Sequence, residues 1–377
     1  MKKTILIILS LCSLLTNAQQ LERYKKLKDT VLISKFLNYE KSVSIYVPLE
    51  WQSNIKKTFP LTVVFDRQNT RIEQHIIHTI DFLTSTDQMP STVIVSVNSK
   101  RNKRFIETSY PKNNEKGLAE KNKDFLFKEL IPFTEKNFKT NTFRLFIGHS
   151  RYGYFVSDLF ANHTKDLNAV IAIEPFFTSH KINLLEDFEA ISLKTVDCHK
   201  YYRYTIGRDS HLQFNPAQET LAKINKPKIN TKGALYPESD HFAIPALTVS
   251  NALYDIFEFW SRQQNNLRYT EFGIDDIEKL QHKVRKHYGE NLTFSLSVLY
   301  GMGFSHYNKN EYAKSIKVWS KFLEYYPNFS QAYLNIMKAE KKLNLNTEHT
   351  ILKFKNSLKN SDFYTDDRKI EMIKSLE

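Results

Sequence analysis

The sequence predicts an α/β fold, with a mostly parallel, doubly wound sheet followed by a smaller all-α region. Three observations predict it. Short apolar runs alternate with amphipathic segments from Val31 to about Trp260, each run ends on a turn-forming or polar residue, and strand signals thin out after Gln263-Gln264-Asn265-Asn266. Alternation of this kind feeds parallel strands with helices on both faces of one sheet.

Residues 30–33 and 43–47 read as an opening antiparallel pair, the second stopped by Pro48. The runs 61–65 before Asp66, 93–97 before Asn98, 143–147 before Gly148 and 169–173 before Glu174 are apolar on both faces, as central parallel strands are. Between them, residues 125–138 gather Phe125, Leu126, Leu130, Ile131 and Phe133 on one side, the stripe of a helix lying on a sheet. Strands at 204–206 and 234–236 follow, then a helix from about Ile244 to Trp260. In open sheets of this class, functional residues collect at the carboxyl ends of the strands. Asp66, Asn98, Ser150, Glu174 and Asp209 all fall there.

At the N-terminus, Lys2 and Lys3 precede an apolar stretch from Ile5 to Leu15, and Thr16-Asn17-Ala18 supplies a small-x-small site. This pattern is a secretory signal peptide over residues 1–18, which predicts an exported protein, periplasmic or secreted, with no membrane span. Beyond the leader, Cys198 is the sole cysteine, so the fold rests on its core and not on an internal disulfide. The net charge is +13, falling to +11 without Lys2 and Lys3. Lysines are spread along the chain and mixed with acids, a pattern of solvated faces that argues against nucleic-acid binding. The polar run 263–266 reads as a linker, giving an α/β domain over 19–262 and a helical domain over 263–377. Within the latter, residues 299–327 fit a tetratricopeptide repeat, with Gly303, Tyr307, Trp319, Phe322 and Pro327 at its small, aromatic and proline positions. A second unit starts near Asn328. Repeats of this kind present a surface to a protein or peptide partner, and a generic helical hairpin bundle is the alternative.

The run Phe143 to Gly153 delivers a serine from a buried strand into a glycine-flanked turn, Gly148-His149-Ser150-Arg151-Tyr152-Gly153. A serine hydroxyl is a weak nucleophile, and acyl transfer needs it exposed on a tight strand-to-helix turn beside a base and backbone N–H donors. Tyr152 stands where the elbow pattern wants a small residue. If Ser150 is the nucleophile, a carboxylate and then a histidine must follow in the chain, and Asp209, after Gly207, and His241, on the loop past the last strand, do so in that order. Asp209 also suits a helix cap, and His241 a helix-entry position. Glu238 and Asp240 neighbour His241 in sequence, while Glu174, before Pro175, is the other candidate carboxylate. The remaining histidines show no metal-ligand spacing, and no metal or cofactor is expected.

The segment Phe125 to Phe133, the run 140–153 and the later Asp240-His241-Phe242-Ala243-Ile244-Pro245-Ala246-Leu247 together resemble the putative-esterase (esterase D-type) family of α/β-hydrolases, which includes siderophore esterases. The resemblance covers about 31–260. It implies an α/β-hydrolase fold and an esterase acting on a small-molecule ester, siderophore-like or carbohydrate, with Ser150 as nucleophile and His241 as base. The N–H of Arg151, with one from Asp66-Arg67, would form the oxyanion hole. Tyr152, Arg104 and Glu174 are the substrate-binding candidates, Arg104 as part of a basic wall with Arg101 and Lys103. The departure at Tyr152 leaves two readings open: an esterase with a reshaped pocket, or a binding protein that has lost turnover and recruits a partner through its repeats.

Overall fold

The computed structural model describes residues 21–51, 57–111, 114–179, 181–191, 196–269, 274–361 and 363–376. The signal-peptide expectation falls on residues outside these. An eight-stranded sheet has the order β1-β2-β4-β3-β5-β6-β9-β10. Its strands are β1 (Tyr24–Ser34), β2 (Tyr39–Pro48), β3 (Phe59–Val64), β4 (Val93–Val97), β5 (Thr140–His149), β6 (Ala169–Ile173), β9 (Lys200–Gly207) and β10 (Ile229–Tyr236), with a two-residue pair, β7 (Thr178–Ser179) and β8 (Ile182–Asn183), outside it. β1 and β2 pair antiparallel, as does β2 with β4, and all remaining neighbours are parallel.

Alternate residues of the central strands enter two cores. Val64, Ile94, Leu145 and Ile171 face one, while Val63, Val95, Phe146 and Val170 face the other. Helices α1 (Thr70–Ser85) and α8 (Ile244–Ile256) cover the first face. The second is covered by α3 (Ala119–Phe125), a π-helical turn (Leu126–Leu130), α4 (Ile131–Phe138), α5 (Arg151–Asn162), α6 (Leu184–Ile191) and α7 (Phe214–Ile224). A short helix, α2 (Arg101–Glu107), follows β4.

The C-terminal region is all helical: α9 (Glu258–Tyr269), α10 (Ile274–Tyr288), α11 (Leu296–Asn308), α12 (Tyr312–Tyr325), α13 (Ser330–Lys342), α14 (Glu348–Lys359) and α15 (Asp366–Lys374). From α11 to α14 each helix packs on the next. Gly303 admits the Trp319 indole so closely that a Cβ there would meet Nε1 at 2.0 Å. The polar run 263–266 is not an extended linker but part of α9. Gln264 is buried because it bridges two loops, donating to Asp87 O (3.0 Å) and accepting from the Ser295 amide (2.7 Å). The core on the α1/α8 face runs on through Trp260, Tyr288 and Phe294 to Trp319 and Phe322. Asn141 on β5 donates to Tyr288 O (3.1 Å), and the buried Lys57 donates to the Tyr326 hydroxyl (3.1 Å).

Candidate active site

Strand register brings the carboxyl ends of β3, β5, β6 and β9 into one row. Val64 lies opposite Ile147, His149 opposite Ile173, and Ile173 opposite Thr205. Asp66, Ser150, Glu174 and Gly207 therefore occupy neighbouring strand ends. Ser150 caps α5 at φ 57°, ψ −118°, a left-handed conformation that costs a non-glycine residue on the order of 1–3 kcal/mol. Its amide donates to Ile173 O (2.8 Å), and its carbonyl accepts from the Tyr154 amide (2.9 Å). The turn is glycine-dependent by contact: a Cβ on Gly148 would meet Tyr152 O at 2.4 Å, and one on Gly153 would meet Ile173 O at 2.8 Å. The close approach to β6 is thus made at Gly153, so the position before it tolerates a large side chain.

Tyr152 uses that freedom to turn into the core. The expectation that it lines and narrows the pocket is corrected: the side chain is fully buried, stacked on Phe65 at 4.6 Å, and its hydroxyl donates to Glu107 Oε2 (2.8 Å). Lys41 (2.9 Å), Ser99 and Tyr39 (both 2.5 Å) also donate to the Glu107 carboxylate. Burial alone would raise that carboxyl, but Lys41 and the hydroxyl donors outweigh it and hold it below the ordinary range.

His241 sits on the loop after β10, which is held from three sides. The Arg208 amide donates to Ser239 O (2.9 Å), Asp240 Oδ1 accepts from the amides of Phe242 (2.9 Å) and Ala243 (2.8 Å), and His149 Nε2–H donates to the His241 carbonyl (2.9 Å). The two imidazoles approach to 4.5 Å between centroids. Burial foremost, then the proximity of His241 and Arg104, pushes the His149 pKa down to about 3, so it stands neutral as that donor. His149 had drawn no role from sequence; its position next to the serine was the available signal.

The carboxylate at ion-pair distance from the His241 ring is Glu174, with Oε2 3.4 Å from Nδ1. Asp209 is not there: half-exposed at the start of a 3₁₀ turn, it pairs with its neighbour Arg208 at 3.5 Å. Glu174 is 2% exposed, has φ 46°, and neither carboxylate oxygen accepts a hydrogen bond among the described residues. A buried carboxylate so placed is stabilised only by what faces it, and what faces it is the imidazole. This placement also corrects Glu174 as a substrate-binding residue.

Two further expectations change. The Arg67 amide is already donated to Val97 O (3.1 Å), and its guanidinium turns to Asp29 and Ser42 (3.0 and 3.1 Å), so of the Asp66-Arg67 pair only the Asp66 amide stays a candidate oxyanion donor. Arg104 is held by both Asp66 oxygens (2.7 Å each) and donates to His149 O (3.0 Å). It ties the ends of β3 and β5 together, and its charge is matched by Asp66. Arg151, the first residue of α5, spans Thr108 and Ser109 with its guanidinium over the Phe105 ring. Phe105 and Phe242, 51% and 76% exposed, are apolar surface beside Arg151 and His241. Among the described residues no group of three His, Cys, Asp or Glu side chains is arranged to hold a metal ion, and no helix is long and apolar enough to cross a membrane.

Residues 34–181 match the family model described as putative esterase, a span that takes in Ser150 and Glu174 and ends before His241. No curated relative matches the chain. An IroE-like serine hydrolase from Shewanella oneidensis superposes with a TM-score of 0.62 at 16% identity, covering 78% of this chain and 98% of its own. An uncharacterised protein from Capnocytophaga ochracea gives 0.58 at 14% identity, covering 93% of this chain and 99% of its own, so the likeness reaches into the helical region. The siderophore hydrolase EstB from Aspergillus nidulans gives 0.54 at 14% identity over 64% of this chain and 97% of its own. At these identities the likeness is one of fold. The chain thus carries the putative-esterase family match over residues 34–181, within an α/β-hydrolase fold extended by an all-helical C-terminal region.

Proposed function

We propose that this protein is an exported serine esterase in which Ser150 is the nucleophile, His241 the general base and Glu174 the carboxylate that orients it. The observation that carries the reading is the strained Ser150 turn, set in one strand-end row with a buried carboxylate whose facing group is the imidazole of His241. With Nδ1 turned to Glu174, Nε2 is the ring nitrogen left for the Ser150 proton. Ser150 Oγ attacks the ester carbonyl as His241 takes its proton. The Arg151 and Asp66 amides stabilise the oxyanion. Collapse of the intermediate expels the alcohol, which takes the proton from His241. Water, deprotonated by the same ring, then cleaves the acyl-serine and releases the carboxylic acid. Export rests on the leader read at residues 1–18, and a siderophore-like or carbohydrate ester is the substrate suggested by the family likeness.

The direct test is labelling with a fluorophosphonate probe. The purified protein should label and hydrolyse 4-nitrophenyl acetate, and Ser150→Ala should do neither. Equal labelling of the variant would remove Ser150 from the mechanism.

A further inference from the structure

Arg151 brings to the site a cation that has no matching acid among the described residues. The arginines Arg23, Arg104 and Arg203 are each paired with a carboxylate, of Glu50, Asp66 and Asp255 respectively. Arg151 is half-buried and forms no ion pair among the described residues. Neutral groups fix it instead. Nε donates to Thr108 Oγ1 (3.0 Å) and Nη2 to Ser109 Oγ (2.9 Å). Those two hydroxyls spend their own protons on the carbonyls of Arg104 (2.9 Å) and Phe105 (2.8 Å), so their lone pairs are what the guanidinium meets. The Phe105 ring lies 4.1 Å from its central carbon and the Phe176 ring 5.6 Å.

A guanidinium has five N–H donors, and this cradle uses two. Burial, and then the neighbouring Arg104 charge, both disfavour the charged form of Arg151. A rigid, partly desolvated cation beside a nucleophile, with donors to spare and no counter-ion among the described residues, is matched by an anion that arrives from solution. We infer that the Arg151 side chain receives an anionic group of the substrate, so that the preferred substrates are esters carrying a carboxylate close to the scissile bond. This rests on the esterase reading for the site, and the exposed Phe105 ring suits the apolar stem of such an ester.

The test compares two matched pairs of esters. One pair, 4-nitrophenyl hemisuccinate and 4-nitrophenyl butyrate, differs by a carboxylate on the acyl side; the other, 3-acetoxybenzoate and phenyl acetate, differs on the alcohol side. In at least one pair the carboxylate ester should show the higher kcat/KM, and Arg151→Gln should cut that preference by roughly tenfold or more. Arg151→Lys, which keeps the charge but loses the fork, should recover part of it. Equal kcat/KM within both pairs, or a preference that survives Arg151→Gln in a folded protein, overturns the inference while leaving the esterase reading intact. The same four esters are titrated calorimetrically into Ser150→Ala. If the intact protein turns over none of them, the esterase reading falls. The anion site then stands only if a carboxylate ester binds more tightly than its neutral match and the difference disappears in the Ser150→Ala, Arg151→Gln double variant.

Discussion

Glu174 and Asp209 separate what residue order can reveal from what only strand placement can. Both follow a strand, and both precede His241, so the order nucleophile, acid, histidine admits either. Register separates them: β6 lies between β5 and β9, which sets Glu174 beside Ser150, and a Cβ on the nearby Gly207 would approach its Oε2 to 3.1 Å. Replacement of Glu174 by Gln should lower kcat by about 10²–10⁴, since an amide can hold the ring in the wrong tautomer and cannot stabilise the imidazolium. Asp209→Asn should leave kcat near that of the unmodified protein, and steady-state kinetics on one ester decides between them. His149→Phe removes the donor to the His241 carbonyl. It should lower kcat with little change in KM, because it displaces the proposed base and not the substrate. Sequence singles out Ser150 and His241 because each stands in a local pattern. It offers Glu174 only as one of several carboxylates and gives His149 no role, because their partners lie 67 and 92 residues further along the chain.

At the scale of elements, the turn between β5 and α5 shows how an irregular motif keeps its geometry. The approach to β6 requires a residue without Cβ at Gly153, where a Cβ would lie 2.8 Å from Ile173 O, and Gly153→Ala should push α5 away from β6. Overpacking of this kind costs typically about 1–3 kcal/mol, read as a lower denaturation midpoint, and here it should also impair labelling of Ser150. Tyr152, free of that constraint, joins α5 to β2, β4 and α2 through Glu107, Ser99 and Lys41. Lys41 and Glu107 are 2% and 1% exposed, so Lys41→Met leaves a buried carboxylate without its cation. A loss of about 3–5 kcal/mol is expected by chemical denaturation. The central strands were readable because both faces are apolar, whereas β1, β9 and β10 begin earlier than their apolar runs suggest. The exposed Lys26 and Lys28 lie in β1 ahead of its apolar run, and β10 likewise starts at Ile229 and passes through the exposed Asn230 and Lys232.

For the whole molecule, the helical region and the sheet share one apolar core, and the junction carries a pair of imidazoles. His199, just before β9, stacks on His287 of α10 at 3.6 Å; His287 also lies 4.1 Å from the Phe259 ring, and its Nδ1 is hydrogen-bonded with the Tyr201 hydroxyl (3.1 Å). None of this was legible from a polar run read as a linker, because Gln264, which looks like a linker residue, is a buried hydrogen-bonding bridge. Burial, then His199 and Arg262, pushes the His287 pKa down to about 4, and burial with Lys228 lowers His199. Both groups are therefore neutral in the folded protein at pH values where the unfolded chain, titrating near 6.5, already binds protons. The unfolded state holds the extra protons between about pH 6.5 and 4, so stability rises with pH across that window and is lost progressively as the pH falls through it. The buried His149 adds to the same trend, extending it toward about pH 3. Thermal unfolding followed from pH 7 to 4 should show a falling midpoint. His287→Gln, whose amide can donate or accept and so keep the bond to Tyr201, should flatten that fall while leaving the contribution of His149. Because the core is continuous from Ile171 to Trp319, the loss should appear as one cooperative transition by calorimetry, with the α/β portion and the helices unfolding together. Two separate transitions, or a variant whose midpoint falls as steeply as that of the unmodified protein, would show that the imidazole stack does not couple the two regions.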